Sequence, residues 1–243
     1  MLSIIIPTLN EEDYLPRLLR SIKKQGFTDY EVIVADAGSS DETLNIARSY
    51  GCKIVKGGLP AKGRNEGAKV AKGEILFFLD ADAILLDDFL SESLREFSDR
   101  KLDIAGFCLK SYPANKFFSF FENSIYNKII IISEKVLPHS AVGILMKKEL
   151  FNKLGGYDET IKLAEDMDLS RRAVKMDANF GIIRTKEILA SDRRFKKDGL
   201  IAIGIKFFLC ELHMIFIGPV RSNIFNYKFN HYKEENSKIK HQT

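Results

Sequence analysis

The sequence predicts an α/β fold built on a mostly parallel sheet. Three observations carry that expectation. Short apolar, β-branched runs recur through the N-terminal third, segments with helical spacing of apolar residues separate them, and turn residues mark each change of period. Strands alternating with helices of this length are βαβ units. With 243 residues, 45% of them hydrophobic, the chain can bury a sizeable core and is too apolar for wholesale disorder.

Leu2 to Ile6 reads as the first strand. A helix follows from Glu11 or Glu12 to about Gln25, with Leu15, Leu18, Leu19 and Ile22 on one face. Glu31 to Ala35 is the second strand. Ser39-Ser40-Asp41-Glu42 opens a helix that runs to Tyr50 and is ended by Gly51. Cys52 to Val55 is the third strand, Ala61 to Lys72 a helix, and Glu74 to Leu79 the fourth strand. Farther along, Asp103 to Lys110 and Ser140 to Met146 read as strands. Lys147 to Leu154 is a helix ended by Gly155-Gly156, and Ala164 to Met176 is another. Asn115 to Val136 is rich in Phe and Ile, and Leu200 to Ile217 is strongly apolar up to Gly218-Pro219.

Parallel sheets of this kind bind ligands beyond the carboxyl ends of their strands. Thr8, Asn10 and Glu11 follow the first strand, Asp36 the second, and Asp80 and Asp82 the fourth. Turn preference accounts for one or two polar residues at such places but poorly for all three strand ends. Asp80-Ala81-Asp82, just past the apolar run Ile75 to Leu79, forms a hard-oxygen pair suited to Mg²⁺ or Mn²⁺. Glu165-Asp166 is a second carboxylate pair, readable as a general base or as the acidic first turn of a helix. Arg193-Arg194 with Lys196-Lys197 is readable as a phosphate-binding group or as an exposed basic loop.

Charge and cysteine content narrow the field. The net charge is +4, but residues 184–197 carry a net +4 and residues 219–243 a net +3, so the remainder is slightly acidic. Basic segments of this kind suit phosphate groups or an anionic membrane surface. Three widely spaced cysteines argue against a disulfide scaffold or a zinc finger, and a reducing, cytoplasmic compartment is the default expectation. The stretch Met1 to Ile6 lacks the basic n-region of a signal peptide. Neither a GxxxxGK[ST] loop nor a GxGxxG fingerprint occurs, which removes the main support for P-loop and dinucleotide-binding readings. Basic residues do not interleave with aromatics on one face, so a nucleic-acid partner is not expected.

Taken in order, Pro7-Thr8-Leu9-Asn10-Glu11, Val34-Ala35-Asp36-Ala37-Gly38-Ser39-Ser40-Asp41-Glu42-Thr43, Gly63-Arg64-Asn65-Glu66-Gly67 and Phe78-Leu79-Asp80-Ala81-Asp82 resemble the family 2 glycosyltransferases of the GT-A fold. Gly155-Gly156-Tyr157-Asp158-Glu159 followed by Glu165-Asp166-Met167-Asp168-Leu169-Ser170-Arg171-Arg172 resembles the acceptor-side half of that family, and the likeness extends over about residues 1–197. Where the family pattern reads Asp-Asp-Gly-Ser, this chain has Asp36-Ala37-Gly38-Ser39.

The resemblance implies a GT-A domain over 1–197, divided into a nucleotide-sugar half (1–110) and an acceptor half (111–197), with an apolar helix and basic tail over 198–243. It implies an inverting transfer from a nucleotide-diphosphate sugar, a UDP-sugar favoured and a GDP-sugar the alternative. By position, Pro7, Thr8 and Glu11 frame the nucleoside pocket and Asp36 holds the base, with Asp41 and Arg64 nearby. Asp80 contacts the ribose or sugar, and Asp82, with Asp80, holds Mn²⁺ or Mg²⁺ on the diphosphate. Asp166, beside Glu165, is the base that deprotonates the acceptor hydroxyl. Arg193 and Arg194 supply cationic stabilisation of the leaving diphosphate. A nucleotidyltransferase would carry a Gly-rich basic loop after the first strand, and Pro7 to Glu11 has neither feature. A non-catalytic sugar-nucleotide or membrane-binding module would be expected to lack one of the acid pairs.

Leu200 to Ile217 is interrupted by Lys206, Glu211 and His213 and falls short of the ~18 uncharged residues of a spanning helix. Three roles stay open for it: lying at a membrane interface, packing on the core, or forming an oligomer contact. With the Phe/Ile-rich stretch Phe117 to Ile132, the first favours a glycan or polyprenyl-lipid acceptor and a peripheral location at the inner face of the cell membrane.

Overall fold

The structure, a computed structural model, describes residues 1–112, 126–193 and 199–225. Among them runs β1 (Leu2–Thr8), α1 (Leu15–Lys23), β2 (Tyr30–Asp36), α2 (Thr43–Ser49), β3 (Lys53–Lys56), α3 (Pro60–Val70), β4 (Ile75–Leu79), β5 (Ala83–Ile84) and α4 (Phe89–Asp99). Then come β6 (Ile104–Tyr112), α5 (Asn127–Ile132), β7 (Gly143–Lys147), α6 (Lys148–Lys153), α7 (Glu165–Lys175), β8 (Phe180–Ser191) and α8 (Leu200–Phe216).

The strands form one eight-stranded sheet in the order β3-β2-β1-β4-β7-β6-β8-β5. From β3 to β4 every pairing is parallel. β7 then enters antiparallel between β4 and β6, and β8 runs parallel to β6. The register sets Thr8 opposite Asp36 and Asp36 opposite Lys56, so the carboxyl ends of β1, β2 and β3 lie level.

Strands buried on both faces read as continuous apolar runs. Ile4, Ile6, Phe77 and Leu79 pack on one face with Leu15, Leu18 and Phe89 of α1 and α4. Ile5, Leu76 and Phe78 pack on the other with α3, α6 and α7. α3 approaches β1 closely because Gly63 and Gly67, one turn apart, face it. A methyl group at Gly63 would lie 3.1 Å from Pro7 Cβ, and one at Gly67 would collide with Ile5.

The elements foreseen in the N-terminal third all form. The first helix begins three or four residues later than expected, after a turn at 12–14. α4 and β8 were not foreseen. Residues 184–187, read as part of a basic patch, belong to β8, where Arg184 pairs with Glu134 and Lys186 with Glu92. Those two cations serve internal carboxylates. The stretch Phe117 to Ile125, Arg194, Lys196 and Lys197 lie outside the described residues.

Candidate active site

The site lies along the carboxyl ends of β1, β2 and β4 and is closed by the N-terminus of α7. Its β1 side is a tightly bonded loop pair. The Thr8 and Ser39 hydroxyls donate to Asp36 Oδ1, at 2.9 and 2.5 Å, and the Gly38 and Ser39 amides donate to Asp36 Oδ2, at 2.9 and 2.8 Å. Gly38 has φ +97°, a left-handed value that favours glycine. Asp36, foreseen as the base-holding residue, therefore shapes this loop with both of its oxygens. Asp41 accepts the Glu12 amide and both the amide and hydroxyl of Thr43, joining the β1–α1 loop to the start of α2. Pro7 lies in β1 opposite Ala35 and against α3.

α3 delivers Arg64 into the middle of the site. Its side chain is 4% exposed, and its guanidinium reaches three carboxylates from two halves of the chain. They are Asp80 after β4 at 2.8 Å, and Glu165 at 2.7 Å and Asp166 at 3.4 Å at the start of α7. Asn65 next to it fastens the acceptor side. Its amide donates to the Tyr157 carbonyl at 3.0 Å and its carbonyl oxygen accepts the Tyr157 amide at 2.8 Å. Arg172 of α7 donates to the carbonyls of Leu154 and Gly156, capping the end of α6. Ala164, just before α7, has φ +63°, a strained value for a residue with a β-carbon, and it turns the chain so that the helix begins on Glu165-Asp166.

Asp166 is a strongly perturbed carboxyl. Burial pushes it up, the Arg64 cation opposes this, and the neighbouring Glu165 and Asp80 charges push it further, to about 8. The charge count explains the outcome. One guanidinium faces three carboxylates, two of them largely buried, so a fully ionised cluster would hold an uncompensated negative charge out of water, and retaining a proton relieves it. Burial lowers Arg64, but Asp166, Tyr157, Asp80 and Glu165 outweigh it and hold the guanidinium well above its ordinary value. Tyr157 is held well above the usual phenol range by burial and by Asp166. It stays protonated and donates to Asp166 Oδ1 at 3.0 Å. Its ring is fixed edge-on against Phe78, with centroids 5.2 Å apart, and Arg64 lies 5.3 Å over it.

A second arginine organises the donor side. Arg193 makes a bidentate pair with Glu11, at 2.9 and 3.0 Å, and reaches Asp82 Oδ2 at 3.0 Å, while its guanidinium stacks 4.4 Å over Tyr14. Asp82, Arg193 and Tyr14 line a cavity of about 240 Å³ with Arg17, Ile84, Tyr112, Ser191 and Asp192. Arg193, foreseen as a diphosphate cation, is thus paired with two carboxylates of the same site.

Among the described residues no three or more His, Cys, Asp or Glu side chains cluster as a ready metal cage. Mg²⁺ and Mn²⁺ do not require one. They bind through one or two carboxylates and complete their shells with substrate phosphate and water. Asp82, its side chain 18% exposed and on the cavity wall, and Asp80 two residues before it offer that donor set.

Tyr157, Tyr14, Asn65 and Asp192 escaped the sequence reading. Tyr157 and Asn65 lie inside segments already singled out for their motifs, but nothing local marks their partners, which are 9 and 92 residues away.

A family model described as Glycosyl transferase family 2 matches residues 3–155. The chain belongs to that family. It is 35% identical over 112 residues to the poly(ribitol-phosphate) beta-N-acetylglucosaminyltransferase TarS of Staphylococcus aureus, spanning 42% of this chain and 20% of that protein. It is 33% identical over 124 residues to the GalNAc(5)-diNAcBac-PP-undecaprenol beta-1,3-glucosyltransferase of Campylobacter jejuni, spanning 47% of this chain and 40% of that one. The chain therefore matches less than half the length of either relative. The fold superimposes on S. aureus TarS 1-349 in complex with UDP-GlcNAc with a TM-score of 0.65 at 23% identity, covering 96% of this chain and 77% of that one. It also superimposes on the mannosyltransferase PcManGT from Pyrobaculum calidifontis in complex with GDP-Man and Mn²⁺, with a TM-score of 0.63 at 21% identity, covering 74% and 54%. The expected GT-A architecture is thus present, and the domain is that of a family 2 transferase.

Proposed function

We propose that this protein moves a sugar from a nucleotide-diphosphate sugar to an acceptor hydroxyl with inversion, using Asp166 as general base. The observation that carries the reading is the convergence of Asp80, Glu165 and Asp166 on the buried Arg64. A carboxyl tied to the donor side and two on the acceptor side meet at one cation. Inversion needs a base beside the acceptor hydroxyl as it attacks the face opposite the leaving diphosphate, and Asp166 is the carboxyl of this cluster assigned to that task.

In this reading residues 1–110 hold the donor and residues 111–197 the acceptor. Pro7, Thr8 and Glu11 frame the nucleoside, and the loop built on Asp36 and Asp41 shapes the base-binding edge. Asp166 Oδ2 takes the acceptor proton, while Tyr157 holds Oδ1 by its hydroxyl. General-base assistance of this type is worth about 10²–10⁴-fold. Arg193, shared with Glu11 and Asp82, and Arg194 are the cations assigned to the diphosphate in this reading. Asp82, with Asp80, would hold a divalent cation, which when bound supplies charge stabilisation to the leaving phosphate. A UDP-sugar is favoured over a GDP-sugar, supported by the UDP-GlcNAc complex of the TarS fold neighbour, while the GDP-Man complex of PcManGT keeps the alternative in view.

The acceptor in this reading is a cell-envelope glycan or a polyprenyl-linked one, in line with the printed activities of the two relatives. The protein would then work peripherally at the inner face of the cell membrane. Among the described residues no helix is long and apolar enough to cross a membrane.

Titration with UDP-sugars in the presence of Mn²⁺ tests the donor side. Wild-type protein should gain thermal stability with ligand, and Asp82→Ala should lose the Mn²⁺-dependent part of that gain. A gain of equal size in Asp82→Ala would remove Asp82 from the metal site.

A further inference from the structure

We propose that the outward face of α8 is a docking surface for an anionic lipid bilayer, and that it carries the base-bearing helix α7 at a fixed height above the lipid. The second half of this statement rests on the role proposed for Asp166, while the first stands on the helix itself.

α8 is polarised in the opposite sense to an ordinary surface helix. Of its two ionic groups, Lys206 is half-buried, and Glu211 turns inward and pairs with Arg171 of α7 at 2.5 Å, while His213 Nδ1 lies 2.9 Å from the Gly218 carbonyl. The inward packing is also apolar, with Cys210 and Met214 against Leu163, Met167 and Val220. The outward side presents Ile205, Phe208, Leu209, Ile215 and Phe216 at 48–80% exposure. An aqueous surface rarely leaves such a patch bare.

Charge selects the occupant. Apart from Arg193, which is held by Glu11 and Asp82, the segment just before α8 carries Arg194, Lys196 and Lys197 against Asp198. Apart from Arg221, which pairs with Asp158, the segment after it carries Lys228, Lys233, Lys238 and Lys240 against Glu234 and Glu235. Positive flanks on both sides of an apolar helix complement phosphate headgroups. They oppose a second copy of the same face, because apposing the two would bring like charges together. At 17 residues, about 26 Å, α8 suits lying in the interface.

The attachment to the site is direct. α8 and the residues after it hold α7 at two points, through Arg171–Glu211 and through the backbone pairing of Leu163 with Val220, immediately before Ala164 and the Glu165-Asp166 pair. A bilayer under α8 would therefore fix where Asp166 meets an acceptor whose lipid tail stays in the membrane.

Co-sedimentation with vesicles of mixed phosphatidylglycerol and phosphatidylcholine tests this. The wild-type protein should sediment with them, weakly with phosphatidylcholine alone, and less as salt rises. Phe208→Ser combined with Phe216→Ser should weaken binding about 100-fold, from two largely exposed aromatics withdrawn from lipid, with thermal unfolding unchanged. A second pair on the same face, Ile205→Ser with Ile215→Ser, should do the same and guards against a folding defect in the first. Wild-type protein that ignores anionic vesicles, or variants that bind as well as wild type, would overturn the proposal. So would a dimer in size-exclusion light scattering that both pairs convert to monomer. Vesicle binding does not depend on turnover, so loss of the general-base assignment would leave this result standing and the reverse also holds.

Discussion

Replacing Arg64 by Met tests the cluster at the centre of the molecule while keeping an unbranched apolar stem in place of the arginine's. It removes the one guanidinium that Asp80, Glu165 and Asp166 share. Breaking a buried ion pair by deleting one partner costs about 3–5 kcal/mol, because the other charge stays buried. The Asp80 carboxylate is 38% exposed and contributes little, whereas Glu165 and Asp166 are 12% and 13% exposed and carry the effect. We expect about 3 kcal/mol at neutral pH, a fall in Tm of roughly 6–12 °C for a chain of this size. The loss should depend on pH in a definite direction. Without the opposing Arg64 cation Asp166 holds its proton more tightly than it does in the wild-type native state, so the deficit grows as pH rises and is larger near pH 8 than near pH 5. Urea unfolding at both values measures it. Adding Glu165→Gln should recover part of the stability by removing one of the stranded charges. A single variant within about 0.5 kcal/mol of wild type, the range of ordinary surface changes, or a deficit independent of pH, would refute the charge count.

Other outcomes follow from the same geometry. With Asp166 raised to about 8, sugar transfer should climb with pH through that value as the carboxylate forms. Tyr157→Phe removes a hydrogen bond that favours the charged form, so the rise should move to still higher pH with donor affinity unchanged, and an acid-ward move would contradict the assignment. Gly67→Ala should cost about 1–3 kcal/mol in denaturant unfolding, since the added methyl drives α3 off Ile5 of β1, and a neutral result would mean the two elements can part without loss.

The donor half of the fold was legible because its signals are local. Leu2–Thr8, Tyr30–Asp36 and Ile75–Leu79 are largely buried, so apolar residues dominate them, and Thr8 and Asp36 end the first two while Asp80 follows the third. β8 was hidden by Arg184-Thr185-Lys186-Glu187, whose charges face solvent or neighbouring carboxylates at a register shift opposite Phe107 and Cys108. The antiparallel insertion of β7 between β4 and β6 leaves no local trace at all, because strand order is a tertiary property. In the site, the individual acids were readable from position. Their meeting on Arg64 was not, since Glu165 lies 101 residues from it, and neither was the bridge from Arg193 to Glu11 across 182 residues.

The proposed chemistry rests above all on Asp166, and Asp166→Asn addresses it with little change of shape. The account predicts that the variant folds with at least wild-type stability near pH 8, where it no longer buries an excess negative charge, and binds a UDP-sugar with unchanged affinity. Its rate of transfer to acceptor should fall by about 10²–10⁴-fold. Transfer at the wild-type rate by a stable, donor-binding Asp166→Asn protein would contradict the account.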